Sequence, residues 1–201
     1  MLEAFQGLNA LELISTISVL ACTFLILISI FINFALAQDR KDTVKEKRSI
    51  VATGSMLGFF IVYYLAVKAS IGYVHLQESI RWIMTPIGVI ILIIGTVTNI
   101  LGRFALGRNW ADHIRIYKTH AVVKTGVYRV IRHPLYASLI WMFYAGALIY
   151  SNLAAFILNT AIFLPFMHYR AKQEEEELSK RFKDYKEYSE EVGMFFPRVK
   201  I

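Results

Sequence analysis

The chain alternates long charge-free stretches with short segments that gather its charges. No Asp, Glu, Lys or Arg occurs in residues 13–37, 49–67, 82–102 or 133–169. A helix needs about 20 apolar residues to cross roughly 30 Å of hydrocarbon. The first three stretches each predict one such helix. The fourth is too long for one and carries Ser151-Asn152 near its middle. It predicts a tight hairpin of two helices, each arm of about 16–18 residues, the short end of the usual range. The expected fold class is an all-α integral membrane protein with five transmembrane helices, a single membrane domain over 1–201. Helices 1–3 occupy 1–102. Residues 103–201 hold a polar loop, the hairpin and a C-terminal amphipathic helix.

Composition agrees: 56% of the 201 residues are hydrophobic and 18% charged. That is the profile of a membrane protein rather than of a soluble core. Charge placement adds orientation. All of the 22 lysines and arginines except Lys68 and Arg81 fall after helix 1, after helix 3 or in the tail. Five crossings put these three segments on one face, which the positive-inside rule makes cytoplasmic. The N-terminus is then outside and the C-terminus inside. Four or six crossings divide the basic segments between faces. The first span does not read as a signal peptide: Met1-Leu2-Glu3-Ala4 has no basic residue and the apolar stretch is too long. The net charge of +7 fits loops facing anionic membrane lipid and gives no reason to invoke nucleic acid. Cys22 is alone, so it forms no internal disulfide or multi-cysteine metal site.

Serines, threonines and asparagines in the first three spans, such as Ser15, Ser29, Asn33, Thr96 and Asn99, are expected to bond to backbone or to neighbouring helices. Gly54 and Gly58 form a small-xxx-small pair, a mark of close helix packing. In the polar insert 103–132, Ile114-Arg115-Ile116-Tyr117 and Ala121-Val122-Val123 read as short extended pieces. Gly126 permits a turn that other residues resist. Pro134 suits the first turn of helix 4. In the tail, Leu178, Phe182, Tyr185 and Val192 recur at helical spacing, which predicts one amphipathic helix from Lys172 to Val192 lying on the membrane surface. Gly193 ends it, and Met194-Phe195-Phe196-Pro197 follows as an apolar plug.

Two clusters carry chemistry. One runs from His120 to Tyr136; the other is Arg170 with Glu174-Glu175-Glu176-Glu177. Each has a bland reading. Adjacent glutamates on a helix fan round by about 100° each, so one face presents one or two and the rest are solvated. An Arg-His-Pro at a membrane edge serves as a topology anchor, and His133 alone is a weak metal or proton-transfer candidate.

Together they resemble one family. The run His120-Ala-Val-Val-Lys-Thr-Gly-Val-Tyr-Arg-Val-Ile-Arg-His-Pro-Leu-Tyr136 is followed by a hairpin, then Arg170-x-x-x-Glu174-Glu175, then Phe182, Tyr185, Tyr188 and a late Phe-Pro. This pattern is similar to the isoprenylcysteine carboxyl methyltransferases, whose prokaryotic members share their architecture with phospholipid N-methyltransferases. Leu106-Gly107-Arg108-Asn109-Trp110 also looks familial. The likeness covers residues 100–198; helices 1–3 match in general character only.

The resemblance implies an integral membrane enzyme that uses S-adenosylmethionine, bound on the cytoplasmic side by the loop and the tail. It implies that His120, Val122, Val123, Gly126, Tyr128, His133, Pro134 and Tyr136 line the cofactor site, completed by Glu174 and Glu175. It places Arg132, Arg170 and Glu175 nearest the methyl acceptor, a lipophilic molecule, with no metal. The chain departs from the pattern in two places. Phe182-Lys-Asp-Tyr185 is one residue shorter than the family's Phe-Gly-x-x-Tyr, and Glu191-Val192-Gly193 replaces its Arg-Val-Pro. Anchored on Arg170 the glutamate pair is Glu174-Glu175; anchored on Tyr185 it slips by one, with Glu176 the fallback.

Methyl transfer from a sulfonium is an in-line displacement that needs alignment and exclusion of water. A carboxylate acceptor is already ionised and needs a cation to hold it, which arginine supplies. An amine acceptor needs a base such as Glu or His. The residues offer both, so O-methylation of a prenylated or other lipid-linked carboxylate stands beside N-methylation of a phospholipid amine. A sterol-type membrane reductase and a non-enzymatic scaffold are the readings from other classes.

Overall fold

The computed structural model describes residues 9–37, 43–47, 50–107, 114–117 and 122–198. His120, Ala121 and Arg108-Asn109-Trp110 lie outside the described residues. Four helices stand on the charge-free stretches: α1 (Ala10–Ala37), α2 (Ile50–Lys68), α3 (Glu78–Leu106) and α4 (Pro134–Ile149). The second arm of the hairpin is α5 (Leu153–Leu158), a π-helical segment (Asn159–Phe163) and α6 (Leu164–Arg181) in succession. The last helix is α7 (Tyr185–Glu191).

Local chemistry sets the ends. The Glu12 amide donates to Asn9 Oδ1 at 2.9 Å and the Asn9 amide to Glu12 Oε2 at 3.2 Å, a capping box that starts α1. Pro134 opens α4, where its missing N–H leaves no bond unmade. The Ala155 amide donates to Asn152 Oδ1 at 2.8 Å, so Asn152 caps α5 and turns the hairpin.

By length and composition, two of the described helices suffice to cross a membrane: α1 over Ala10–Asn33, and α3. Residues Gly54–Lys68 of α2 and the whole of α4 are apolar but shorter.

Helix directions alternate. α1 and α3 run parallel, with Arg81 Nη2 3.1 Å from Glu12 Oε1 at their starts and Cys22 packed with Leu92 further along. α3 and α4 run antiparallel, and three glycines seven residues apart carry that contact. A Cβ on Gly88 would lie 2.9 Å from the Ala145 carbonyl oxygen, one on Gly95 2.7 Å from Met142 Cγ, and one on Gly102 3.1 Å from Leu135 Cδ2. The glycines therefore bring α4 onto α3 at backbone distance, and Asn99 Nδ2 donates across to Ser138 Oγ at 2.8 Å. In turn Arg103 Nε donates to Asn99 Oδ1 at 2.8 Å. Polar side chains within the spans bond locally, as Ser15, Ser29 and Thr96 do to carbonyls three or four residues earlier.

Gly54 and Gly58 differ from that expectation. Nothing lies within 4 Å of a Cβ built on either, because α2 reaches the bundle through Phe59 and Tyr63 against Phe143 and Phe163. Gly88→Ala is expected to cost about 1–3 kcal/mol through overpacking. Gly58→Ala should be neutral or gain about 0.5–1 kcal/mol, since glycine weakens a helix interior. Unfolding midpoints in detergent distinguish the two.

The ends of the bundle are tied differently. At one end β1 (Thr43–Lys47), after α1, pairs antiparallel with β2 (Ile114–Tyr117), after α3. The chain is thus helical with one small ribbon, not all-α. Ile114–Tyr117 is extended as its alternation predicts, whereas Val122 and Val123 join no strand. At the other end Tyr73 bridges to Asn152, joining the α2–α3 loop to the hairpin turn.

The tail also differs from the expected single helix. α6 ends at Arg181, Phe182 is extended (φ −116°, ψ 109°), and α7 begins at Tyr185. Tyr185, Tyr188 and Val192 bury together with Leu178, Phe182 and Val122. The apolar face therefore closes on the chain's own loop, which an unbroken helix along the bilayer surface would leave uncovered.

Candidate active site

The site lies at the end of the bundle that carries the ribbon, where four short pieces converge. Gly126, at φ +60°, turns the chain into a 3₁₀ turn over Gly126–Arg129. That turn buries the Tyr128 ring and delivers Ile131-Arg132-His133 to the start of α4. α6 supplies the glutamates. Its buried stripe steps by four residues, Met167, Ala171, Glu175, so Glu175 points inward and Glu176 is exposed. The bent segment after α7, bridged to Ile131 at Gly193, closes the cluster. The Arg132 amide donates to the Gly193 carbonyl at 2.8 Å and the His133 amide to the Met194 carbonyl at 3.1 Å.

Glu175, 7% exposed, is the centre. Its Oε1 accepts from Arg132 Nε at 2.9 Å, lies 2.8 Å from Arg132 Nη2, and lies 3.2 Å from His133 Nε2. Its Oε2 accepts from Lys172 Nζ at 3.2 Å. The rest of the Arg132 guanidinium, Nη1, donates to the Ser189 carbonyl at 2.7 Å and to the Val192 carbonyl. Glu174 sits beside it: its Oε1 accepts from the Tyr136 hydroxyl and its Oε2 lies 3.5 Å from His133 Nδ1. Arg170 lies close enough to Tyr136 for its charge to act on the hydroxyl.

The electrostatics follow from these contacts. Burial alone would lower the His133 pKa, but hydrogen bonds and charge from Glu174 and Glu175 outweigh it and raise the ring above its ordinary value. Burial alone would raise Glu175; hydrogen bonds and charge from His133 and Arg132 bring it down to about 2. Both ring nitrogens of His133 face carboxylates, the arrangement an imidazolium satisfies with two donors.

The loop and the tail are fastened outside this core. The Tyr188 hydroxyl, raised to about 12 by burial, donates to the Tyr128 carbonyl at 2.6 Å. Lys124 donates to Asp184 and holds it below the usual carboxylate range. An open cleft of about 380 Å³ is lined by Lys124, Arg129, Glu187, Tyr188, Glu191 and Val192; its charged walls suit water rather than an apolar tail.

Of the residues singled out from the sequence, Arg132, His133, Tyr136, Arg170, Glu174 and Glu175 come together. Pro134 is buried at the start of α4, while Val122, Val123, Gly126 and Tyr128 form the adjoining turn. Lys172, Gly193 and Phe195 read from the sequence as parts of the tail helix, its end and the apolar plug, not as residues of the site. Lys172 lies three residues before Glu175 on α6, a spacing that offered a signal. The role of Gly193 rests on a backbone contact that no residue pattern announces.

Comparison with known proteins gives the same direction. A family profile described as the isoprenylcysteine carboxyl methyltransferase (ICMT) family matches residues 88–180. A relative in Oryza sativa subsp. indica, named a probable protein-S-isoprenylcysteine O-methyltransferase, is 28% identical over 164 residues, covering 76% of this chain and 84% of the relative. The protein-S-isoprenylcysteine O-methyltransferase of Saccharomyces cerevisiae is 28% identical over 118 residues, covering 57% of this chain and 49% of its own. The fold is similar to a solved structure of the eukaryotic intramembrane Ras methyltransferase ICMT, with a TM-score of 0.59 at 21% identity. That likeness covers 84% of this chain and 61% of the solved one. Profile and relatives point the same way: the chain is similar to the isoprenylcysteine carboxyl methyltransferases over residues 88–180, and its fold is similar to that of a solved one.

Proposed function

We propose that the chain is an integral membrane methyltransferase that uses S-adenosylmethionine to O-methylate a carboxylate on a prenylated or other lipid-linked acceptor. The observation that carries the acceptor class is the state of the ionisable groups. His133 has a carboxylate at each ring nitrogen, and Glu175 already accepts from Arg132, His133 and Lys172. Both ring nitrogens of His133 are thus engaged by carboxylates rather than aimed at an acceptor, and Arg132 is held as a fixed cation. A carboxylate acceptor arrives ionised and needs only to be held.

Five crossings, with the site on the cytoplasmic face, fit this reading. The β1–β2 ribbon ties the basic loops after α1 and α3 at the site's end, and the Tyr73–Asn152 bridge ties the remaining two loops at the other. The second arm of the hairpin then crosses as α5, the π segment and the start of α6.

The donor set suits the cofactor. Glu174 keeps 28% of its side chain exposed, so its carboxylate has capacity left for a ribose hydroxyl or an ammonium. Tyr128, His133, Tyr136 and the turn at Gly126 would wall the site, with Val122, Val123 and Pro134 beside them; His120, which the resemblance adds to this set, lies outside the described residues. Bound there, S-adenosylmethionine supplies an electrophilic methyl group. Arg170, partly exposed beside Tyr136, is the cation proposed to reach the acceptor carboxylate. Arg132 and Glu175 hold the neighbouring charges in place.

The test is labelled methyl transfer in detergent, comparing a prenylcysteine analogue, phosphatidylethanolamine and a lipid extract. Base-labile label on the prenylcysteine is the expected product, since an ester hydrolyses. Stable label on the amine alone would replace the carboxylate reading with N-methylation.

A further inference from the structure

We propose that the C-terminal segment Val192–Phe195 is a positioning element of the active site, with Gly193 and Phe195 as its positioning residues. It fixes the directions from which Arg132 and His133 address the glutamates. The inference rests on the methyltransferase reading for its kinetic consequence, and on geometry alone for the rest.

Arg132 is held twice by one segment. Its amide donates to the Gly193 carbonyl at 2.8 Å, and Ile131 and Gly193 pair as a parallel bridge. Its side chain is caught by the carbonyls of Ser189, at 2.7 Å, and Val192. His133 is also held twice. Its amide donates to the Met194 carbonyl at 3.1 Å, and its ring meets the edge of Phe195 at 6.3 Å between centroids and 71° between planes. Phe195 is 7% exposed and lies between His133 and His168. Neither Gly193 nor Phe195 offers a group to a substrate, so both act through their neighbours.

The course of the segment requires a glycine. A Cβ on Gly193 would stand 1.9 Å from the Phe196 carbonyl oxygen and 3.1 Å from the Arg198 amide nitrogen. Arg198 Nη1 donates to the Glu190 carbonyl and fastens the far side of the turn. Any side chain at 193 must push the turn open. That displaces the two carbonyls on which the 132 and 133 amides rest. The cluster has little tolerance for this, because three nitrogens converge on the single oxygen Glu175 Oε1, and hydrogen bonds weaken steeply away from their preferred geometry.

Gly193→Ala and Phe195→Leu, in the full chain, test this. Hydrogen–deuterium exchange of a peptide spanning residues 129–136 reads the hold on the two amides. Turnover with a prenylcysteine analogue, with KM for each substrate, reads its consequence. Exchange should accelerate about tenfold or more in Gly193→Ala. The kcat should fall by about tenfold to a hundredfold, the range that misplacement of about 1 Å produces, with KM for the cofactor within about threefold. Phe195→Leu, which keeps the backbone course, should show a smaller change in the same direction and carries both readouts if the glycine variant does not fold. Unchanged exchange, or faster exchange with kcat within about twofold of wild type, overturns the proposal. A wild-type chain that transfers no methyl group sinks the functional reading instead, and exchange alone then decides whether the segment holds Arg132 and His133.

Discussion

Glu175→Gln is expected to lower kcat/KM by about a hundredfold or more, equivalent to roughly 3 kcal/mol of transition-state stabilisation. It is also expected to destabilise the fold. Removing the carboxylate charge leaves Arg132 and His133 facing each other in a buried site, and breaking a buried ion pair from one side costs about 3–5 kcal/mol. The amide keeps the shape, so the loss reports charge rather than volume. One oxygen of Glu175 takes three donors, and a glutamine oxygen accepts them more weakly while its NH₂ meets Lys172. Glu176→Gln is the matched control: Glu176 is exposed, and its activity and unfolding midpoint should stay at wild-type values. Glu174→Gln separates the roles further. It should weaken cofactor binding with a smaller change in stability, because Glu174 is partly exposed and shares fewer contacts. Loss of activity in the Glu176 variant with retention in Glu175→Gln would show that the register of the glutamate pair is wrong.

The membrane-type helices were legible because hydrocarbon tolerates no unpaired charge. The charge-free stretches therefore mark α1 to α4 within a few residues, and Ser151-Asn152 marks the hairpin turn. Pairings distant in sequence were less legible. Nothing in Thr43–Lys47 announces a strand until it meets Ile114–Tyr117. The tail shows why periodicity alone misleads. Leu178, Phe182, Tyr185 and Val192 do share one apolar face, but the chain breaks at Phe182 to wrap that face round Val122. Glycines mislead in the same way. The pair at Gly54 and Gly58 drew attention through its motif, whereas the close contacts are at Gly88, Gly95 and Gly102, spaced by two full turns. At the site, the choice among four consecutive glutamates had a readable answer. The Met167 and Ala171 positions, extended by four, reach Glu175, and the rotation of α6 sends Glu176 outward.

The pH profile is expected to fall on its alkaline limb and to lack a rising limb near neutrality. Two shifted groups set its sign. The folded pKa of His133 is raised above 6.5 by Glu174 and Glu175. Its contribution to stability is therefore complete below the unfolded value and is lost as pH rises through the raised one. Glu175 has the opposite sense. Its folded pKa is depressed to about 2 by His133 and Arg132. Its contribution is complete above the ordinary carboxylate value and is lost as pH falls from there towards 2. The unfolding midpoint should therefore peak between roughly pH 5 and 6.5, decline more acid as Glu175 protonates, and decline from about 6.5 up to the raised histidine value, above which His133 contributes nothing further. The groups facing His133 are Glu174 and Glu175 from α6, with the Tyr136 ring stacked at 5.8 Å and the Phe195 edge on another side. Within that window a carboxylate acceptor stays ionised, so kcat/KM should follow the histidine proton and drop once it is lost. An amine acceptor, or a catalytic imidazole base, requires the reverse: a rate that rises as pH passes through the histidine value. His133→Gln should remove the alkaline limb and leave a lower, flatter profile. Rates that rise from pH 6 to 8 in the wild type and flatten in His133→Gln would identify His133 as a base and overturn its assignment as a fixed cation.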